Sequence, residues 1–341
     1  MSQSECAVYS HVSSLRTWIC NGSVLLYPQI SMEKNGSSVE GFLLVGLSDD
    51  PHLRIYLFLL FLAIYAATVI GNIILITVCI CEPRLHTPMY FFLVNLSFLD
   101  ICYSTVTVPN MLVQLLLAGR RISFLACAAQ MYSYLLLGCT ECVLLAVMAY
   151  DRCVAISFPL RYVVIMRRSI CVAIGACCWL CGSLMGMLDT VFTLREPLCN
   201  SNVINHFFCE ATALLKIACR DTFLAETVIF SVGIVVLLIP SFVILFTYIS
   251  IITTILGIRT VEGRHKAFST CASHLVVVVL FYSTAIFLYM KPVSKNSANQ
   301  EKLYSLFYTV TPPMLNPLIY SLRNQEVKMA LQKIAKRCIF H

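Results

Sequence analysis

From Ile55 to Cys81 the chain carries no charged residue, and six further apolar stretches follow. They lie within Thr87–Gly119, Ile122–Tyr150, Ser169–Leu188, Thr227–Ile258, Ala267–Met290 and Leu303–Leu322. A helix needs about 20 residues to cross the ~30 Å apolar core of a bilayer, and each stretch supplies roughly that length. Lipid offers no hydrogen bonds, so only helices and closed barrels can cross it. These runs lack the two-residue alternation of barrel strands. The fold expected is an all-α membrane protein, a seven-transmembrane helix bundle. Composition agrees: 59% of residues are apolar and only 12% charged, where a soluble domain is about a quarter charged.

The expected domains are a polar N-terminal segment (1–54), the seven-span domain (55–322) and a tail (323–341). In the tail, Val327, Leu331 and Ile334 recur at helical spacing, with Lys328, Lys333, Lys336 and Arg337 between them. That pattern predicts a short amphipathic helix lying on the membrane surface. An odd number of spans puts the termini on opposite sides. With the N-terminus outside, the inner segments hold 13 Lys and Arg against 11 outside, in the sense of the positive-inside rule. Sequons at Asn21 and Asn35 fit an external N-terminus. The net charge of +7 is spread through short loops, which argues against nucleic-acid binding.

Polar residues within the runs carry the candidate chemistry. Asp100 and Glu141 are acids inside spans two and three. Such residues are costly in lipid and mark ion, proton or substrate paths. If the two meet, they hold a cation such as Na⁺, share a proton, or hydrogen-bond neighbours such as Asn72 and Asn316. Asp151 and Arg152 form a charge pair where the third run ends. Most of the 18 cysteines lie inside apolar runs, where Cys acts as a small hydrophobe. Cys127, Cys199, Cys209 and Cys219 lie instead at or between run ends, and four cysteines allow three pairings. No metal site is expected, and no phosphate-binding loop or metalloprotease motif suggests an enzyme.

Five motifs occur in order. They are Gly71-Asn72 in span one, Pro88-Met89-Tyr90-Phe91-Phe92-Leu93 opening span two, and Met148-Ala149-Tyr150-Asp151-Arg152 closing span three. Lys266-Ala267-Phe268-Ser269-Thr270-Cys271-Ala272-Ser273-His274 opens span six, and Pro313-Met314-Leu315-Asn316-Pro317-Leu318-Ile319-Tyr320 lies in span seven. Together they resemble the odorant (olfactory) receptors, tetrapod type (class II), a branch of the rhodopsin-like G-protein-coupled receptors. The resemblance implies a small, mostly apolar volatile ligand in the outer half of the bundle. It also implies coupling to a Gs-type (olfactory) G protein, rising cAMP, and residence in the plasma membrane of olfactory sensory neurons. Alternatives are a non-olfactory chemosensory receptor of the same fold, or a transporter using Asp100 and Glu141.

Ligand contacts are then expected from Tyr134, Leu135, Gly138 and Cys139 in span three. Span five adds Val232, Gly233 and Val236. Span six adds Ala285, Ile286 and Tyr289, and span seven Leu306 and Thr309. No acid is expected at the pocket. The resemblance further implies disulfides Cys127–Cys209 and Cys199–Cys219. It implies a switch in which Arg152 pairs with Asp151 and reaches Ser269 or Thr270 at rest, then turns toward Tyr248 or Tyr320; Asn316 and Pro317 belong to the same machinery. Three positions depart from the family pattern: Cys153 stands where Tyr is usual, Ser157 where Cys is usual and Ser283 where Gly is common. Met32-Glu33-Lys34-Asn35 looks like a family start, so residues 1–31 read as an upstream extension without fixed structure.

Overall fold

The computed structural model describes residues 7–12, 15–20, 23–27, 41–48, 50–117, 120–197, 202–219, 221–290 and 298–339. Both sequons and Cys199 lie outside them. Seven long helices form the bundle. Span one is Pro51–Cys81, span two Pro88–Leu116, span three Phe124–Ser157 and span four Arg168–Leu194. Span five is Phe223–Gly257, span six Val261–Tyr289 and span seven Ala298–Arg323.

Six helices among the described residues are long and apolar enough to cross a membrane, counting Cys271–Tyr289 of span six. Span seven is more polar, and it turns that polarity inward: Ser305, Thr309 and Asn316 are buried. Several helices outrun their apolar stretches. Span three continues to Ser157 and span six begins at Val261, before its apolar part. Apolarity marks where lipid is; the helix itself runs on into water because each added turn still satisfies its own backbone. Local chemistry starts the helices. Asp50 accepts a hydrogen bond from the His52 amide at 2.9 Å with Pro51 at the first helical position, and Ser123 caps span three.

Span three is the axis. Its apolar stretch is 72% buried, against 22% for span one. Span four lies close against it because Gly182 and Gly186 face it. A methyl group on Gly186 would come 2.7 Å from the Leu136 amide nitrogen, and one on Gly182 would come 2.7 Å from the Leu136 carbonyl oxygen. Small residues four apart are how membrane helices bring backbones together. In span five, a π-helical turn at Ile234–Leu238 runs into Pro240. Proline has no N–H to give and its ring crowds the preceding turn, so the helix widens there.

Short strands lie outside the bundle. Phe42–Leu44 pairs antiparallel with Arg120–Ile122 and parallel with Val203–Ile204. This ties the segment before span one to the loops after spans two and four. The strands Ala7–Val12, Leu15–Cys20 and Ser23–Tyr27 pair antiparallel in register order. Runs such as Thr17-Trp18-Ile19 and Val24-Leu25-Leu26 favour strands. The tail helix forms as expected, over Gln325–Ile339. Val327 is fully buried, and Lys333 forms an ion pair with Glu82 at 2.7 Å.

Gly186→Leu should push spans three and four apart at a cost of about 1–3 kcal/mol. Thermal denaturation of the purified protein should show a clear drop in Tm, and surface expression should fall. Cys177→Leu, at an exposed position on the same helix, should leave both unchanged.

Candidate ligand cavity and coupling end

A small cavity lies between spans two, three, four, five, six and seven. Tyr134, Leu135, Gly138 and Cys139 line it from span three, and Val232, Gly233 and Val236 from span five, as expected. Tyr289 lines it from span six. Gly138 matters for its lack of a side chain, since a methyl group there would meet the Tyr308 hydroxyl at 3.2 Å.

Other expected contacts fall elsewhere. Ala285 and Thr309 are fully buried in the packing, and Ile286 and Leu306 pack beside the core; none of the four lines the cavity. Their helices present Tyr289 and Tyr308 instead. The lining residues that the sequence did not reveal include Tyr103, Tyr308 and Asp189. Tyr103, Tyr134 and Tyr308 pack ring against ring, Tyr308 edge-on to the other two, with Tyr103 and Tyr134 ring centres 5.1 Å apart. Tyr289 donates to the Tyr134 hydroxyl at 3.4 Å.

The expectation of an acid-free pocket is overturned by Asp189. It follows the apolar run Ser169–Leu188 and looked like the start of a loop. Span four continues to Leu194, so Asp189 lies inside the bundle and is buried. The buried residues Cys178, Gly182, Gly186 and Asp189 recur every three or four positions. That helical spacing is the signal that placed it on the inward face.

The loop after span four closes this end of the bundle. Cys127 and Cys209 form a disulfide, as expected. The Cys209 amide donates to Gln130 at 3.1 Å, and Gln114 donates to the Phe207 carbonyl at 2.8 Å. Phe208 packs its ring 4.6 Å from Tyr134, so the loop roofs the cavity. Cys219 is also disulfide-bonded; its expected partner Cys199 lies outside the described residues. His206 is buried against Phe207 with ring centres 4.6 Å apart. Burial, helped by the charges of Lys302 and Lys216, pushes its pKa down to about 3.

Below the cavity, Asp100 and Glu141 are fully buried and close enough to sense each other's charge. Asn316 donates to both Asp100 oxygens at 3.1 and 3.0 Å. Asn72 turns to backbone instead, donating to Thr68 and Pro313 carbonyls. Glu141 Oε1 has no hydrogen-bond partner among the described residues.

At the far end, Asp151 lies within electrostatic reach of Arg152. Asp151 accepts a hydrogen bond from Tyr162 at 2.9 Å, on the short helix Tyr162–Ile165 that follows span three. Neighbouring side chains on a helix diverge by about 100°, and here the acid turns to the loop while Arg152 turns inward. Arg152 is buried within electrostatic reach of Tyr248, Tyr320 and His274. Tyr248 and His274 Nδ1 are hydrogen-bonded at 2.7 Å, joining spans five and six. The side chains of Ser269 and Thr270 lie outside the described residues. Cys153 and Ser157 touch at 3.9 Å, and Ser157 bonds Thr254 of span five at 3.1 Å.

A seven-helix bundle with a disulfide from span three to a roofing loop places the chain in a known architecture. Its likeness to the crystal structure of squid rhodopsin has a TM-score of 0.68, at 18% identity over 85% of this chain and 87% of that one. The sequence pattern of the olfactory receptor family matches residues 61–337. Human olfactory receptor 2D2 is 52% identical over 303 residues, covering 89% of this chain and 98% of the relative. Dog olfactory receptor-like protein OLF3 is 51% identical over 300 residues, covering 88% and 95%. The chain belongs to the olfactory receptor family.

The buried His206 makes the roof sensitive to acid. The packed loop holds this ring neutral far below its ordinary pKa of 6.5, and the opened loop does not. Above pH 6.5 the two states bind protons alike. As pH falls below 6.5 the opened loop takes up a proton that the packed one refuses, so packing loses about 1.4 kcal/mol per pH unit. Tm should therefore fall between pH 7 and pH 5, and His206→Phe should flatten that slope.

Proposed function

We propose that this protein is an odorant receptor. A small, mostly apolar ligand enters the cavity beneath the Phe207-Phe208 roof and is held mainly by shape, with Tyr134 and Tyr289 supplying polar contacts. The observation that carries this reading is the position of the cavity: it touches spans two to seven at once in a member of the olfactory receptor family. A guest there bears on the helices whose other ends surround Arg152. Shifting spans five and six relative to span three would loosen the contact of Tyr248 with His274 and free Arg152 to turn outward. The partner at that end is a heterotrimeric G protein of the Gs or olfactory type, and the output is a rise in cAMP.

In this reading the protein resides in the plasma membrane of olfactory sensory neurons. The disulfide end and the N-terminus face outward, and the amphipathic tail helix lies on the inner leaflet. Residues 1–31 precede the family-like start as an added outer segment. Two oxygen-donor acids, one with an unbonded oxygen, suit a hard cation such as Na⁺. Asp100 and Glu141 would hold it, and otherwise share a proton; either relieves the repulsion between them and steadies the resting packing around Asn316.

The test is expression in cells with a cAMP reporter and a chemically diverse odorant panel. Tyr134→Ala and Tyr289→Ala should each weaken the response to an active odorant about tenfold or more, at normal surface expression. Unchanged potency in both would displace the binding site. Arg152→Ala should abolish cAMP output while leaving ligand binding intact; undiminished output would refute the switch.

A further inference from the structure

The cavity lining has one carboxyl group, and among the described residues nothing bonds its Oδ1. Asp189 is 3% exposed, lines the cavity from span four, and its Oδ1 has no hydrogen-bond partner among the described residues. Of the other buried acids, Asp100 has Asn316 and Asp151 has Tyr162; Glu141 also keeps an unbonded oxygen, but it does not line the cavity. Of the lining tyrosines, Tyr289 donates its hydroxyl to Tyr134 rather than to Asp189. Cys139, itself a lining residue, lies within electrostatic reach of Asp189 across the helix interface.

Leaving a carboxyl buried and unbonded costs more than almost any apolar substitute would. The backbone brings it there through built features. Gly186, one turn before Asp189, lets span four come close to span three, and residues three apart on a helix share a face. An acid held in this way against an apolar wall is a polar anchor for a guest.

We infer that Asp189 selects ligands of this receptor that carry one O–H or N–H donor on a small apolar body, such as an alcohol, a phenol or a primary amine. The inference rests on the odorant-receptor reading of the cavity. The donor points at the Asp189 oxygen, and the apolar body lies between Leu135, Val232, Val236 and the tyrosine rings. An ester, ether or hydrocarbon of the same size fits the walls but leaves the carboxyl unbonded.

The test uses the full chain in cells and matched probes. They are 2-phenylethanol and 2-phenylethylamine against propylbenzene, and hexan-1-ol and hexylamine against heptane and methyl pentyl ether. On the wild type the donor-bearing members should be more potent by about tenfold or more, the worth of one hydrogen bond to a charged group. Asp189→Leu should erase that preference. Asp189→Asn, which keeps an acceptor without the charge, should retain response to the alcohols and lose the amines. Purified, ligand-free Asp189→Leu should melt at a temperature no lower than the wild type, since no internal partner is lost. Equal potency of donor-free probes on the wild type, survival of the preference in Asp189→Leu, or a lowered Tm in that variant would each overturn the inference while leaving the receptor reading in place. If no probe and no member of a wider odorant panel raised cAMP at normal surface expression, both readings would fall together.

Discussion

Lipid gives a polar group nothing to bind, and the whole structure follows from that refusal. Each span closes its own backbone, and polar side chains in the spans turn to the interior or, like exposed Thr77, Thr105 and Ser231, donate back to their own helix's carbonyls. Span seven shows the effect most clearly. Its Ser305, Thr309 and Asn316 are buried while Leu303, Phe307 and Leu318 face outward. The polar groups so gathered include the Tyr134–Tyr289 contact, the Asp100–Asn316 contact, and Arg152 within electrostatic reach of Tyr320. In a dry interior such groups are held by few partners and are sensitive to any shift of a helix.

Span three links these groups. It forms one wall of the cavity, carries Glu141 midway, and bears Asp151 and Arg152 near its C-terminal end. The roof loop is bolted to its N-terminal end by Cys127–Cys209, and the short helix Tyr162–Ile165 is tied to its C-terminal end by Asp151. Spans five and six are joined to each other at Tyr248 and His274, and span six to span three where Tyr282 donates to the Cys142 carbonyl at 2.6 Å. Movement of five or six therefore meets a small number of identifiable polar contacts rather than a diffuse apolar surface.

The bundle was legible from the apolar runs because the bilayer sets both their length and their composition. The same was true of the cavity wall on spans three and five, where Tyr134 to Cys139 and Val232 to Val236 were placed correctly. Apolarity is a poor guide at the edges of spans, where a helix continues after the lipid stops. That is why Asp189 read as a loop residue and why the pocket was expected to lack an acid. Rotation about a helix axis is equally hidden. Ala285 and Thr309 sit on the right helices, but tyrosines four and one residues away fill the cavity side. The outer strands at Phe42, Arg120 and Val203 are short, and each makes sense only beside the others.

The central claim is that one cavity, walled by span three and roofed by the Cys209 loop, receives the ligand. The most direct test is a cryo-electron microscopy structure of the receptor with an agonist found by cell screening. The account predicts ligand density beneath Phe208 within about 4 Å of Tyr134 and Tyr289. Agonist density confined to another surface of the bundle, with Tyr134 and Tyr289 still packed on each other, would contradict it.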